Sequence, residues 1–287
     1  MKFSYFNQSE NKFGLASMGR SFTSGLSTLT PRFSAFLGKN ILMRPYGRRS
    51  YKIELIQPEH ELNILTSMGI VHVNIFGEGS KVVIVSHGWE DNSQSFQQMI
   101  LALTKQGYRV AAFDHIGHGK SSGKKSHLLS FIETLNLLTE HFNEEKTPVK
   151  AIIGHSMGAI ATLNLPFNIL KDKKIILISS PIKFFELMFQ KVEQVGISRK
   201  LLKRVLESIS LTYGKTWQQL AAEHHREKLD LDITFIHDRH DRFAPFDDVK
   251  HFLNQEKNTL IATEGLGHRK ILGDTKVIEN ISQVLAS

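Results

Sequence analysis

The chain has no cysteine. Disulfides, thiolate zinc sites and a cysteine nucleophile are therefore excluded. It also lacks any run of 18 apolar residues, the length a transmembrane helix needs. The first 30 residues hold no continuous apolar stretch of the kind a secretory signal requires. Repeats and low-complexity tracts are missing as well. What remains is a chain of 287 residues, 41% hydrophobic and 22% charged, with the balance of an ordinary globular protein.

Acid is scarce in one region only. Residues 1–50 set Lys2, Lys12, Arg20, Arg32, Lys39, Arg44, Arg48 and Arg49 against Glu10 alone, a balance of +7 within a total of +8. The basicity belongs to an N-terminal arm. Such an arm suits an anionic lipid surface or nucleic acid, or a solubilising role over the acidic parts of its own domain. Its Ser-rich, acid-poor composition is also similar to an organelle transit peptide. Residues 1–14 read as poorly ordered. Leu15, Met18, Phe22, Leu26 and Leu29 then recur at helical spacing, which predicts an amphipathic helix ended by Pro31. Phe33, Phe36 and Leu37 continue on a second short helix. The expectation is that this apolar stripe packs on the main domain or on a partner subunit, with a membrane-surface helix as the alternative.

From residue 70 short apolar runs alternate with helical segments. Strands are predicted at Ile70–Phe76, Val82–Ser86, Arg109–Phe113, Val149–Ile153, Lys174–Ile178, Leu231–Ile236 and Asn258–Ala262. Helices are predicted at Ser95–Gln106, Leu128–Asn143, Ala159–Leu170, Asp247–Gln255 and Thr275–Leu285. Near-continuous apolar strands alternating with helices mean a doubly wound, mostly parallel α/β sheet. About fifty residues between Ser179 and Leu231 exceed what a crossover needs and read as an inserted helical cap. The chain thus divides into an arm at 1–50, an α/β core at 51–181 and 229–287, and a cap at 182–228.

Active sites of such sheets form at the carboxyl ends of the strands. Those ends carry His87-Gly88-Trp89, Asp114 to Gly123, Gly154-His155-Ser156-Met157-Gly158, His237 to Pro245, and Gly265-Leu266-Gly267-His268. They offer a serine, an aspartate and a histidine in that chain order, all after residue 80. The arm supplies none of them. Together the motifs resemble the α/β-hydrolase fold superfamily over about residue 65 to the end. "HGW" is similar to its oxyanion loop, "DHIGHGKSSG" to its Asp-x-x-Gly-His-Gly-x-Ser loop, and "GHSMG" to its nucleophile elbow. "HDRHDRFAP" resembles its Asp-x-x-x-Pro acid loop and "GLGH" its Gly-x-His loop. The monoacylglycerol lipase, lysophospholipase and carboxylesterase groups are the nearest in pattern. Ala159, where a second glycine is frequent, and the acidic Glu90-Asp91 after "HGW" depart from it.

A serine hydroxyl needs a base to become a nucleophile. His268 is the candidate base for Ser156, and Asp241 the acid that fixes its tautomer. Asp238, nearer the strand end, is the alternative acid, but Asp241 fits the spacing to Pro245. The amide of Met157 is one oxyanion donor, and the resemblance implies Trp89 as the second. His118 and His155 are read as structural and the His224-His225 pair as solvated. His237, Asp238, His240 and Asp241 have metal-ligand chemistry, but this loop already supplies the triad. No metal and no cofactor is expected. Phe184, Phe185, Met188, Phe189 and Trp217 either line an acyl pocket or form the cap's own core; Trp89, Phe185 and Trp217 are the candidate substrate contacts. The function implied is a serine hydrolase cleaving a carboxylic ester with an apolar part through an acyl-enzyme. Thioester or C–C bond hydrolysis by the same triad, or a ligand-binding receptor, are the alternatives. No nucleic-acid partner is expected. A cytoplasmic location is expected, with peripheral membrane contact through the arm and self-association left open.

Overall fold

The computed structural model describes residues 13–47 and 54–287. Of residues 1–14, expected to be poorly ordered, Phe13 and Gly14 instead open a helix; residues 1–12 and the boundary near residue 50 lie outside that range. An eight-stranded sheet runs through the molecule in the order β1-β2-β4-β3-β5-β6-β7-β8. Its strands are β1 His60–Thr66, β2 Gly69–Phe76, β3 Val82–Ser86, β4 Arg109–Phe113, β5 Val149–His155, β6 Lys174–Ile178, β7 Ile233–Asp238 and β8 Thr259–Thr263. From β4 onward across the sheet all pairings are parallel, while β1 and β2 join antiparallel at one edge. β1 was not predicted. "HELNILT" alternates polar and apolar residues, as a half-exposed edge strand does, and lacks the continuous apolar signal of the central strands.

Twelve α-helices are described. They are α1 Phe13–Leu29, α2 Pro31–Leu42, α3 Gln97–Lys105, α4 Leu128–Glu144, α5 Met157–Leu163, α6 Phe167–Leu170, α7 Phe184–Gln194, α8 Arg199–Tyr213, α9 Trp217–Leu220, α10 Phe246–Phe252, α11 Gly267–Lys270 and α12 Thr275–Ala286. The single helix expected over Ala159–Leu170 is two, because Pro166 has no N–H to give the helix and caps α6 instead. Alternate residues of β3 serve two cores. Val82 and Ile84 pack with residues of α4 and α5 such as Phe131 and Ile160. Val83 and Val85 pack with residues of α3 and α12 such as Met99 and Ile281. That is the period-two alternation of a sheet covered on both faces.

Between β6 and β7 the chain leaves the sheet as α7, α8 and α9 and an irregular helical turn, Ala222–Asp230. The described part of the arm, residues 13–47, packs mainly on this layer. α2 lies along α8, and the backbone N–H of Ser198 donates to Thr23 Oγ1 at 2.9 Å. Here an expectation fails. Most of the stripe's large residues do not face the main domain. Ser27, Ser34, Ala35 and Gly38 are buried, while Leu15, Met18, Phe22 and Leu29 point outward. A Cβ on Gly38 would lie 2.5 Å from Val205 Cγ2. The helices approach too closely for any larger side chain at that point, so the small face goes inward.

Candidate active site

The site is assembled at the carboxyl ends of β3, β5, β7 and β8. β5 ends at His155, and Ser156 takes φ 53° and ψ −120° before α5 begins at once with Met157. A non-glycine residue at positive φ is strained, and here the surroundings hold it. A Cβ on Gly154 would lie 2.7 Å from the Cα of Ala159. The elbow is therefore closed by Gly154 and the small Ala159, which is fully buried. A second glycine is not needed there. On the β3 side, a Cβ on Gly88 would lie 2.8 Å from the Cβ of Ser156, so only glycine lets the His87-Gly88-Trp89 loop pass over the serine.

Asp241 follows β7 and His268 opens the second turn after β8. Asp241 Oδ2 is 2.7 Å from His268 Nδ1, and His268 Nε2 is 2.9 Å from Ser156 Oγ. Burial by itself would raise the Asp241 carboxyl. The hydrogen bond and charge of His268, with the N–H groups of Ala244 and Phe243, outweigh burial and hold it below the ordinary aspartate value. An ionised Asp241 only accepts. His268 therefore carries its proton on Nδ1, and Nε2 accepts from the serine hydroxyl. Asp238 is spent differently. Its carboxylate accepts from His240 N, Leu266 N and Thr263 Oγ1, each at 2.9 Å, and so ties the β7 and β8 loops together.

The remaining histidines sort by their partners. His155 Nε2–H donates to the carbonyl of His268 at 2.8 Å, which pins the backbone carrying the imidazole. Burial, and then the neighbouring His268, push His155 down to about 3. His118 Nε2 accepts from Glu90 N at 3.1 Å. His225 is not solvated as expected. It is half-buried, its Nε2 donates to Asn164 Oδ1 at 2.8 Å, and burial with the charge of Lys228 lowers it to about 4. His224 is exposed.

Ser156 opens into a cavity of about 720 Å³ whose walls are largely apolar. Trp89, Met157, Phe184, Phe185, Met188 and Trp217 line it. Phe189 does not. It packs with Val192 and Leu202 and belongs to the helical layer's own core. The structure thus divides the five aromatic and methionine residues of the inserted segment between the two roles. Other wall residues were not anticipated. Leu202, Leu206 and Ile209 form one face of α8 at the four-and-three spacing of a helix, a signal present in "RKLLKRVLESISLTY". Leu42 and Met43, from the end of the arm, line the same cavity. The arm also reaches the loop beside Trp89, since the N–H of Gly47 donates to Glu90 Oε1 at 2.8 Å. Glu90, an unexplained departure in the sequence, is buried at φ 57° and serves as that tether.

Comparisons with known proteins agree with this arrangement. The family model described as serine aminopeptidase, S33 matches residues 77–242, more than half of the chain. The monoacylglycerol lipase of Mycolicibacterium smegmatis is 33% identical over 81 residues, which is 27% of this chain and 29% of that protein. A serine hydrolase-like protein of Mus musculus is 29% identical over 128 residues, 42% of this chain and 40% of that protein. The chain thus aligns with less than half the length of these curated relatives. Among solved structures, the esterase Pf2001 of Pyrococcus furiosus superposes with a TM-score of 0.64 at 19% identity, covering 83% of this chain and 97% of that one. Est1E of Butyrivibrio proteoclasticus gives 0.62 at 15% identity, covering 79% and 100%. At such identities the likeness is one of fold. With its central span inside the family model and its sheet shared with these structures, the chain belongs to the serine aminopeptidase, S33 family and is a serine hydrolase of the α/β-hydrolase superfamily.

Proposed function

We propose that the protein hydrolyses a carboxylic ester bearing an apolar chain, with Ser156 as nucleophile, His268 as base and Asp241 as its orienting acid. The observation that carries this reading is the unbroken relay from Asp241 Oδ2 to His268 at 2.7 Å and from His268 to Ser156 Oγ at 2.9 Å, at the wall of an apolar cavity. Ser156 Oγ attacks the ester carbonyl as its proton passes to His268 Nε2. The N–H groups of Met157 and Trp89 hold the oxyanion. Collapse expels the alcohol, which takes the proton from His268. Water, deprotonated by the same nitrogen, then releases the acid and restores the serine.

The family description names an aminopeptidase, which must bind a substrate ammonium. The cavity favours an ester instead. Among the described residues its lining includes Lys191, Lys215 and Arg242 and no carboxylate, so a cationic amino terminus meets only like charge there. The names of the monoacylglycerol lipase and esterase relatives point the same way. Phe185, Met188 and Trp217 then take the acyl chain. The test is a series of p-nitrophenyl esters from acetate to palmitate, with fluorophosphonate labelling. Turnover is expected to peak above acetate, with the label on Ser156. A flat profile would remove the acyl role of the cavity. Labelling that survives Ser156→Ala would remove the mechanism.

A further inference from the structure

The hairpin of α1 and α2 lies outside the family's span of residues 77–242, and the hydrolase chemistry does not use it. Its outward face is built of Leu15, Met18, Phe22 and Leu29 on α1 with Phe33 and Phe36 on α2. Phe22 is 70% exposed, Leu29 83% and Phe36 62%. Large apolar side chains exposed along both helices mark an interaction site. Two further features say what covers it. The first is charge: residues 13–47 hold Arg20, Arg32, Lys39 and Arg44 and no acidic residue. Of these, Arg32 and Arg44 are exposed, so two hairpins pressed together would bring like charges together, whereas an anionic surface complements them. The second is continuity. α2 ends at Leu42, and Leu42 and Met43 form part of the cavity wall that leads to Ser156.

We infer that this hairpin docks on a lipid bilayer containing anionic phospholipid, with its apolar face among the acyl chains and the arm-side rim of the cavity at the surface. No described helix is long and apolar enough to cross a membrane. At 17 and 12 residues, α1 and α2 run about 25 and 18 Å, short of the ~30 Å hydrocarbon core. They lie in the interface, apolar side down, as monotopic amphipathic helices do. Arg32 and Arg44 are exposed where headgroup phosphates would meet them. Docking stands on the hairpin alone; that an ester enters the cavity from the bilayer rests on the function proposed above.

The experiment is co-sedimentation of the full-length protein with phosphatidylcholine vesicles, with and without phosphatidylglycerol. Binding to the anionic vesicles is expected, weaker by at least ~10-fold at high salt. Phe22→Glu with Phe36→Glu is expected to lower it at least ~10-fold, and Arg32→Gln with Arg44→Gln several-fold. All four positions are off the cavity wall, so turnover of a short soluble ester stays unchanged in both variants. Ser156→Ala is expected to bind vesicles like the unaltered chain, which separates docking from catalysis. A protein that remains in the supernatant overturns the inference. So does equal binding to phosphatidylcholine alone, or sedimentation of the double glutamate variant at the unaltered level. A dimer that the glutamate variant dissolves, with no vesicle binding, gives the face to a second copy and overturns it too.

Discussion

Val85 on β3 and Phe22 on α1 both sit in segments whose apolar pattern marks them for burial. Val85 is fully buried, and Phe22 is 70% exposed. In the sheet, both faces are covered, so an apolar residue has nowhere to go but inward. In the arm, one face must be chosen. The choice follows distance of approach: Gly38 meets α8 too closely for a large residue, and Ser34 and Ala35 fit beside it. Periodicity finds the stripe on a helix. It does not say which side the body takes.

Substitutions in the sheet and in the arm should differ in size of effect. The largest effect belongs to the sheet's carboxyl edge. Ser156→Ala is expected to lower kcat by roughly 10⁴-fold or more with the fold intact, and Asp241→Asn by on the order of 10⁴-fold. Asp238→Asn should instead lower the melting temperature, because it weakens acceptors for His240 and Leu266. If Asp238→Asn costs more turnover than Asp241→Asn, the acid has been misassigned. Next in size is Phe131→Ala on α4. This ring is fully buried and stacks on His115 at 3.4 Å, and its loss should cost about 3–5 kcal/mol in denaturant unfolding.

Acid should act on the sheet region too. Burial holds His155 down to about 3 and His127 down to about 4, against an ordinary value of 6.5. Burial also lowers His87, His115 and His237. The unfolded chain therefore binds more protons than the folded one below pH 6.5. Stability should fall as pH drops from about 6.5 toward 4, with a slope of up to ~1.4 kcal/mol per pH unit for each histidine involved. A melting temperature flat across that window would count against the buried neutral set.

The smallest effects lie in the arm. Gly38→Val should cost about 1–3 kcal/mol by forcing α2 away from Val205. Phe36→Ser, on the outward face, should stay within about 0.5 kcal/mol. Reversal of that order would mean that the large residues, not the small ones, hold the arm.

Much of the site was legible because the chemistry is local to strand ends. "GHSMG" follows an apolar run that can only be a buried strand, and Asp241 is separated from Asp238 by the spacing to Pro245. Leu42, Met43 and the Gly47–Glu90 bond were not legible. They join segments more than forty residues apart, through contacts that no local pattern encodes. His225 was misread for a related reason: its partner, Asn164, lies on another element.

The clamp between arm and inserted helices has a consequence for how the molecule opens. Gly38 seats against Val205, Thr23 accepts from Ser198, and Arg20 donates to the carbonyl of Glu193 at 3.0 Å. These contacts tie α1 and α2 to the α7–α8 corner, not to the sheet. Amide protons of α2 and α8 should therefore exchange with solvent at matched rates, as one cooperative unit, ahead of those in β3 and β5. The wall of the cavity and the arm beside it would then breathe together while the serine beneath stays fixed on its strand.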